Sequence, residues 1–555
     1  MNNKKNPALI LLPFLIALGV GCGIFIGRYV STRTLTPKEE KLRMVLQLIK
    51  SDYVDALDMD SLIEVTFPDL MASLDPHSAY IPAEELQAVN DDLSGSFSGV
   101  GVSFQILNDT VQVIEVVAGG PAEKVGILTG DRIIKADTTS LTGKDMTSDK
   151  VFKTLRGEKN STVVLTIKRY GQKDEFVYDV VRGDIPVNSV DVSYMLTDDT
   201  GYVKVTKFSR NTYMEFFNAL NDLKEQGANS FVIDLRGNSG GFMDQAIFMA
   251  NEFLPAGRLI VYTKGRKMEN EYMAMSDGRG RFQDFPVTIL TNEASASASE
   301  ILAGAIQDND RGLIIGRRTF GKGLVQNQTE LPDSSAIRMT VARYYTPSGR
   351  SIQKEYQRGE MNKYDMDIVD RYTHGEFYNA DSIKLDKAKI FFTTNGREVY
   401  GGGGIMPDIF IPEDTTGFTS YYMSVANKGL IQKYAYSVAD QYRERIGNNK
   451  SLDNFNEILP NDQTLLENFV SYAVSNGVPA RWYYINRSRD LIISQLKAMI
   501  ARDVLGYSAF IELLNQNDNV VQNALQQIKE GNSPVNITDD KPEEVAEVSV
   551  SEEVD

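Results

Sequence analysis

Between Pro286 and Ile306 the hydrophobic rhythm of the chain changes twice. Pro286 to Leu290 is a short apolar run of the strand type, and Asn292 to Ser299 is small and polar. Ile301, Leu302, Ala303, Ala305 and Ile306 then recur at helical spacing, so the pattern predicts a strand, a tight turn and a helix. Three serines alternate with alanine in the turn, Ser295, Ser297 and Ser299, just ahead of Glu300. The first turn of a helix leaves backbone N–H groups unpaired, so a small nucleophile there has donors at hand for a developing oxyanion. Serine–alanine alternation equally suits a flexible linker.

Elsewhere the same patterning divides the chain. Residues 36–87 read as helical, with Leu42, Val45, Leu46 and Ile49, then Leu62, Val65 and Leu70, at helix spacing; they end in the turn-rich L-D-P-H-S-A-Y-I-P of 74–82. From about Leu93 to Arg182 short strand-like runs follow one another, at 97–104, 111–117, 119–127, 130–137 and 163–169, with a helical stretch from Ser148 to Leu155. Further on, 201–208 reads as a strand, Thr212 to Gln226 as a helix, and Phe231 to Leu235 as a buried strand running into R-G-N-S-G-G. With Arg338 to Tyr345 as another strand, this alternation indicates a layered α/β core. Residues 351–395 are charged and poorly periodic, which predicts an insertion or a mobile surface excursion. Beyond Thr415 the pattern becomes amphipathic helix through Tyr421–Arg445, Asp462–Asn476 and Arg487–Asn515, with Trp482 and nearby tyrosines pointing to a packed module.

Composition sharpens this picture. A chain of 555 residues has room for three to four domains. Its formal charge of −17 argues against nucleic acid as a partner. Residues 531–555 contribute eight acids against one lysine and no aromatic residue, so they read as a disordered tail. A single cysteine, Cys22, excludes a disulfide framework or a cysteine-based zinc site. Lys4 and Lys5 precede an apolar segment from Ala8 to Val30, whose length and flanks predict a membrane-spanning anchor with its N-terminus in the cytoplasm. A cleaved signal peptide is the rival, though the segment is long for one and no A-x-A site follows; a lipoprotein site at Cys22 fits less well, because Gly19 stands where leucine is usual. Anchor and signal alike place the bulk of the protein outside the cytoplasm.

A serine that attacks an acyl group needs a base. The chain has two histidines, His77 after Asp75-Pro76 and His374 in the irregular stretch, neither in a catalytic setting. A lysine can serve if burial brings its pKa from about 10.4 to about 7–8. Lys322, between two glycines and flanked by Phe320, Leu324 and Val325, is the candidate. The segment from Gly316 to Gly323 also mimics a phosphate-binding G-x-x-x-x-G-K loop, but Gly323 occupies the position of the magnesium-binding Ser or Thr. No second metal-type residue is spaced to join His77, so neither metal nor other cofactor is expected.

These motifs resemble, in order, those of the C-terminal processing peptidases, the tail-specific Ser-Lys protease family S41. The residues that carry the resemblance are S-A-S-A-S-E-I at 295–301, T-F-G-K-G-L-V-Q at 319–326 and D-L-R-G-N-S-G-G at 234–241, within a stretch from about Leu42 to about Pro412. The resemblance implies Ser297 as nucleophile, Lys322 as base and Gln326 as the residue that orients the base. It implies a crotonase-like α/β fold for the protease domain, with an oxyanion hole from the N–H groups of Gly240 or Gly241 and of Ala298. Ser239 stands where family members often carry proline. Residues 93–182 resemble a PDZ domain, whose carboxylate-binding loop would be Ser98, Gly99, Val100 and Gly101, binding a peptide C-terminus beside a strand edge and a helix. Arg156, just past that helix, either senses the bound peptide or is solvated, the second reading being preferred.

The expected organisation is a multidomain α/β chain: an anchor or signal at 1–33, a helical region at 36–87, a PDZ domain at 88–184, a catalytic domain at 185–416, a helical module at 417–530 and an acidic tail at 531–555. The expected partners are protein C-termini and a membrane, with a homodimer or a structural cap both open for the helical module. The alternative function is a non-catalytic PDZ scaffold that binds C-termini without cutting them.

Overall fold

The computed structural model describes residues 36–107, 109–384, 388–446, 449 and 451–533. The expected anchor, Cys22 and nearly all of the acidic tail lie outside these residues. Among the described residues no helix is long and apolar enough to cross a membrane. Two compact units divide the chain between Leu70 and Met71. In the first, the helix Pro37–Asp52 starts on a capping box in which Thr36 and Glu39 each satisfy the other's backbone, and Asp58 caps the helix Met59–Glu64. No residue of either helix is buried. The expected helical region at 36–87 is therefore not one body. Its end belongs to the second unit, where Ala79–Ile81 forms a strand that periodicity did not reveal, pairing antiparallel with Ala336–Arg338.

The second unit is built on two sheets and a separate small β domain. Six strands make the main sheet, in the order Val190–Met195, Thr200–Val205, Ser230–Asp234, Val287–Thr291, Leu313–Gly316 and Ile409–Phe410; the first pair is antiparallel and the rest are parallel. Ser230–Asp234 and Val287–Thr291 are buried at every position, as expected for parallel strands covered on both faces. One face carries the helices Thr212–Glu225, Met243–Asn251 and Ala298–Asp308, and their apolar residues form one core with the sheet. The other face is covered by Ile511, Val520, Val521 and Ala524 of the C-terminal helices. In the second sheet, Ala336–Tyr345 is flanked by Ala79–Ile81 and Leu324–Glu330, and beyond it by Leu259–Gly265 and Tyr272–Met275.

The small domain closes around Val111, Val113, Ile133, Val163, Leu165 and Ile167. Its helix is Ser148–Leu155, as the sequence predicts, capped by Thr147. The run at 119–127, expected as a strand, is instead a short helix, Pro121–Val125: Gly120 and Pro121 start it and Gly126, at φ +89°, stops it. Residues 351–395 also differ from expectation, carrying the helix Met361–Thr373. Its anchors are Tyr364 and the charged Arg371, both buried, so an apolar period is missing although the helix is packed. In the C-terminal module the predicted 487–515 helix is broken at Gly506, φ +110°, into Arg489–Val504 and Tyr507–Asn515. Trp482 is exposed; the core of the module is mostly aliphatic, with Tyr421, Tyr422, Phe455 and Phe469.

Candidate active site

The turn after Val287–Thr291 separates the three serines by role. Ser295 is buried: its Oγ donates to the Leu235 carbonyl at 2.9 Å and accepts the Asn292 N–H at 3.0 Å. Ser299 is buried too, and its Oγ donates to the Asn238 carbonyl at 2.9 Å. Ser297 is partly exposed, with φ +56° and ψ −114°, and immediately precedes the helix Ala298–Asp308. A non-glycine residue at positive φ is strained, and such strain gathers at reactive positions.

Two backbone donors beside Ser297 are uncommitted. The N–H groups of Ala298 and Gly241 have no partner among the described residues, whereas Gly240 N–H donates to Asn238 Oδ1 at 2.9 Å. Gly240, at φ +103°, packs directly on Ser297: a Cβ there would lie 2.7 Å from Ser297 Cβ and 3.0 Å from Ala298 N. The two expected glycines thus divide the work, Gly240 supplying close approach and Gly241 a free N–H. Asn238 holds the turn in place, its Nδ2 donating to the Val205 carbonyl and its own carbonyl accepting from Ala296 N–H.

Lys322 lies in the turn before the strand Leu324–Glu330 and lines the cleft that Ser297 lines, a cavity of about 780 Å³ walled by Phe242, Met243, Ile301 and Leu324. Burial lowers the pKa of its amine, and the positive charge of Arg338 lowers it further, against the opposing pull of Glu300 and Asp75. Arg338 donates to Gln328 Oε1 at 2.9 Å. No hydrogen bond joins Lys322 Nζ to Ser297 Oγ. The two turns are nevertheless fastened together by Glu300. This fully buried carboxylate accepts from Ser297 N–H at 2.8 Å, Thr319 Oγ1 at 2.5 Å, Gly321 N–H at 2.7 Å and Lys322 N–H at 2.9 Å. Burial outweighs those donors and pushes its pKa up to about 7. Tyr344 adds a second tie, its hydroxyl lying within hydrogen-bond reach of the Ser297 and Lys322 carbonyls.

Gln326 lines the cleft, but its Nε2 donates to the His77 carbonyl and not to Lys322. His77 is structural here: its Nε2 hydrogen-bonds the Tyr364 hydroxyl at 2.8 Å, and burial and Lys322 lower its pKa to about 4, leaving it neutral. His374 follows the helix Met361–Thr373, with Nδ1 against the Asp370 carbonyl. The loop that mimics a phosphate cradle has spent its donors: Gly321 and Lys322 N–H go to Glu300, and Gly323 N–H goes to Gln353 Oε1 at 2.8 Å. Among the described residues no cluster of three or more His, Cys, Asp or Glu could hold a metal. A larger cavity, about 1020 Å³, contains Lys354, but that amine is committed to Asp367 and to the Tyr364 carbonyl, each at 3.1 Å. Glu300, Tyr344, Asn238 and Arg338 are the residues sequence reading missed. The Ser297-x-x-Glu300 spacing of a capping box was the signal for the first; nothing local marks the others.

In the small domain, Ser98 and Gly99 sit in the strand Ser96–Gly99, paired with Asp184 and Gly183. Ser98 Oγ is buried without a partner. The Val100 carbonyl accepts from Ala122 N–H at 2.8 Å, and Gly101, at φ +82°, accepts from Val117 N–H at 3.0 Å. The N–H groups of Val100 and Gly101 have no partner among the described residues, next to Val102–Leu107 at the edge of the sheet. Phe104 on that strand meets Phe152 on the helix at 4.9 Å. Arg156 is not simply solvated: its guanidinium lies 4.3 Å from the Phe97 ring and 5.3 Å from that of Phe152, with Nε buried.

Comparison with known proteins gives three matches to family patterns: peptidase family S41 at residues 199–360, PDZ domain at 98–180, and a family of unknown function at 421–506. The carboxy-terminal-processing protease of Bartonella bacilliformis is 37% identical over 314 residues, which span 56% of this chain and 71% of that protein. The carboxy-terminal processing protease of Bacillus subtilis is 34% identical over 326 residues, 59% of this chain and 69% of that protein. Among solved structures, the photosystem II D1 C-terminal processing protease is 28% identical, covering 59% of this chain and 93% of its own at a TM-score of 0.33.

Proposed function

The chain belongs to the carboxy-terminal-processing proteases of peptidase family S41, with a PDZ domain ahead of the peptidase domain, and we propose that it cuts proteins near their C-termini with Ser297 and Lys322. Neutral Lys322 takes the proton of Ser297 Oγ as the oxygen attacks the scissile carbonyl. The resulting oxyanion is held by the N–H groups of Ala298 and Gly241. The Lys322 ammonium then returns its proton to the departing amine, and water, activated by the same lysine, releases the acyl group from Ser297. Gln326, with Nε2 held by the His77 carbonyl, offers Oε1 to the ammonium when it forms. The observation that carries this reading is the buried Glu300, whose carboxylate binds the backbone of nucleophile and base together. Ser98 to Gly101 supply the N–H groups for the substrate's terminal carboxylate, while its chain extends along the edge strand Val102–Leu107.

The test uses the full chain as wild type, Ser297→Ala and Lys322→Ala, incubated with a loosely folded protein ending in apolar residues, its C-terminus free or amidated. Mass spectrometry reads the products. Cleavage by wild type alone, at least about a thousandfold above either variant, and favoured by the free carboxylate, is expected. Cleavage that survives in both variants would place the chemistry elsewhere; binding without cleavage by any form would favour a scaffold. The apolar segment from Ala8 to Val30 would hold the catalytic unit at the outer face of a membrane, and protease accessibility in intact cells checks that side.

A further inference from the structure

The turn that carries Gly241 begins at Arg236, and that residue is held from outside the catalytic domain. Arg236 Nε and Nη2 pair with Asp234 Oδ1 and Oδ2 at 3.0 and 2.8 Å, and Asp234 Oδ1 also accepts Arg236 N–H at 2.8 Å. The remaining nitrogen, Nη1, donates to Asp518 Oδ2 at 2.8 Å. Asp518 uses its other oxygen to cap the helix Asn519–Lys529, accepting from Val520 N–H at 2.9 Å and Val521 N–H at 3.0 Å. That helix lies on the outer face of the main sheet, with Val520, Val521 and Ala524 packed in one cluster with Val232, Leu290, Leu313 and Ile315. Asn515, just before it, donates to the Tyr194 hydroxyl at 2.9 Å, and Tyr202 donates to Asp234 Oδ2 at 2.6 Å.

On its inner side the same turn meets the nucleophile segment: Gly237 N–H donates to Asn292 Oδ1 at 2.9 Å, and the Leu235 and Asn238 carbonyls accept from Ser295 and Ser299. The residues from Arg236 to Gly241 are thus gripped by the nucleophile segment, by their own domain (Lys204 Nζ donates to the Arg236 carbonyl at 3.4 Å, Asn238 Nδ2 to the Val205 carbonyl at 2.9 Å and Phe208 N–H to the Gly240 carbonyl at 2.9 Å), and by one charge-assisted contact from a helix nearly three hundred residues away. A free backbone donor stabilises an oxyanion only if it is fixed before the charge develops, and small displacements of such groups cost rate.

We propose that Asp518 is a positioning residue for hydrolysis: acting through Arg236, it fixes the turn that presents Gly241 N–H, which makes the terminal helices a working part of the catalytic unit. The inference rests on the Ser297 peptidase reading. It assigns a role to a segment beyond both the peptidase match, which ends at 360, and the match of unknown function, which ends at 506.

The experiment compares full-length wild type, Asp518→Asn, Asp518→Glu and Asn519→Ala. Asparagine keeps an oxygen to cap the helix but removes the charge that Arg236 meets; glutamate keeps the charge; Asn519→Ala loses only a contact to the Pro412 carbonyl. For each, kcat and KM on a fluorogenic peptide, the rate of Ser297 labelling by a fluorophosphonate and the melting temperature are measured. Asp518→Asn should lower kcat and the labelling rate about tenfold, with KM and melting temperature near wild type, and Asp518→Glu should recover part of the loss. If Asp518→Asn melts early, Asp518→Glu against Asn519→Ala at a temperature where both are folded decides the matter in the same way. Unchanged kcat and labelling in folded Asp518→Asn would overturn the inference, as would a loss that merely follows melting or is matched by Asn519→Ala. A wild type that is neither labelled nor active would overturn the peptidase reading itself, which labelled wild type separates from failure of the Asp518 role alone.

Discussion

Arg338 is a cation beside Lys322, which the proposed reaction needs neutral. Its guanidinium lines the reaction cleft, and its charge is, after burial, the largest influence lowering the Lys322 pKa. The sign of its removal follows directly. Without the neighbouring positive charge, protonating Lys322 costs less, its pKa rises, and at a given pH less of the amine is free to accept a proton. Arg338→Gln should therefore move the acid limb of kcat/KM to higher pH while leaving the plateau at alkaline pH close to wild type. A pH series on the fluorogenic peptide checks this, and an unmoved limb would mean that burial alone sets the base. His77 should contribute nothing to that limb, since it stays neutral above about pH 4.

At the scale of elements, the helix Ala298–Asp308 is buried along all of its eleven residues. It is held as a core element, which is why the strained Ser297 at its start stays in place. The glycine turn beside it has correspondingly little slack. Gly240→Ala would bring a methyl to 2.7 Å from Ser297 Cβ and 2.8 Å from the Ala296 carbonyl, at a φ of +103° that disfavours any side chain. The expected result is a fall in kcat of at least about a hundredfold in a protein whose circular dichroism still matches wild type; near-normal turnover would show that the turn can shift without moving Gly241. The helix Met361–Thr373 makes a related point. Periodicity hides it because Tyr364 and Arg371 are held by partners elsewhere: Tyr364 lies edge-on to Phe320 at 6.0 Å, and Arg371 donates to the Thr319 and Arg318 carbonyls at 3.0 and 2.8 Å. It is a brace for the turn that leads to Lys322, written in a charged sequence.

For the molecule as a whole, the proposed function divides capture and cutting between domains. Gly101→Ala places a side chain at φ +82° and within 3.1 Å of Ile185 Cδ1, so it should disturb the carboxylate loop. KM for a protein with a free C-terminus should rise about tenfold, with little change for a short peptide whose C-terminus is amidated; equal effects on both would locate the carboxylate site elsewhere. Much of this organisation was legible in the chain. Strand, turn and helix around Ser297, the glycine turn at 237–241, the helix at 148–155 and the α/β alternation all follow from spacing, because periodicity, capping and turn chemistry act between near neighbours. Which serines are buried and where the Gln326 amide points were decided by partners 60 to 249 residues away, and Gly240 loses its free N–H to Asn238, whose own amide is anchored 33 residues off on the Val205 carbonyl. The same holds for Glu300: its place in the sequence marks a helix cap, while its grip on Lys322 exists only once residues 22 apart are folded onto one buried carboxylate. The sequence by itself determined the elements and the candidate chemistry. Tertiary structure alone decided which donors, acceptors and charges meet, since those contacts depend on where distant segments come to rest.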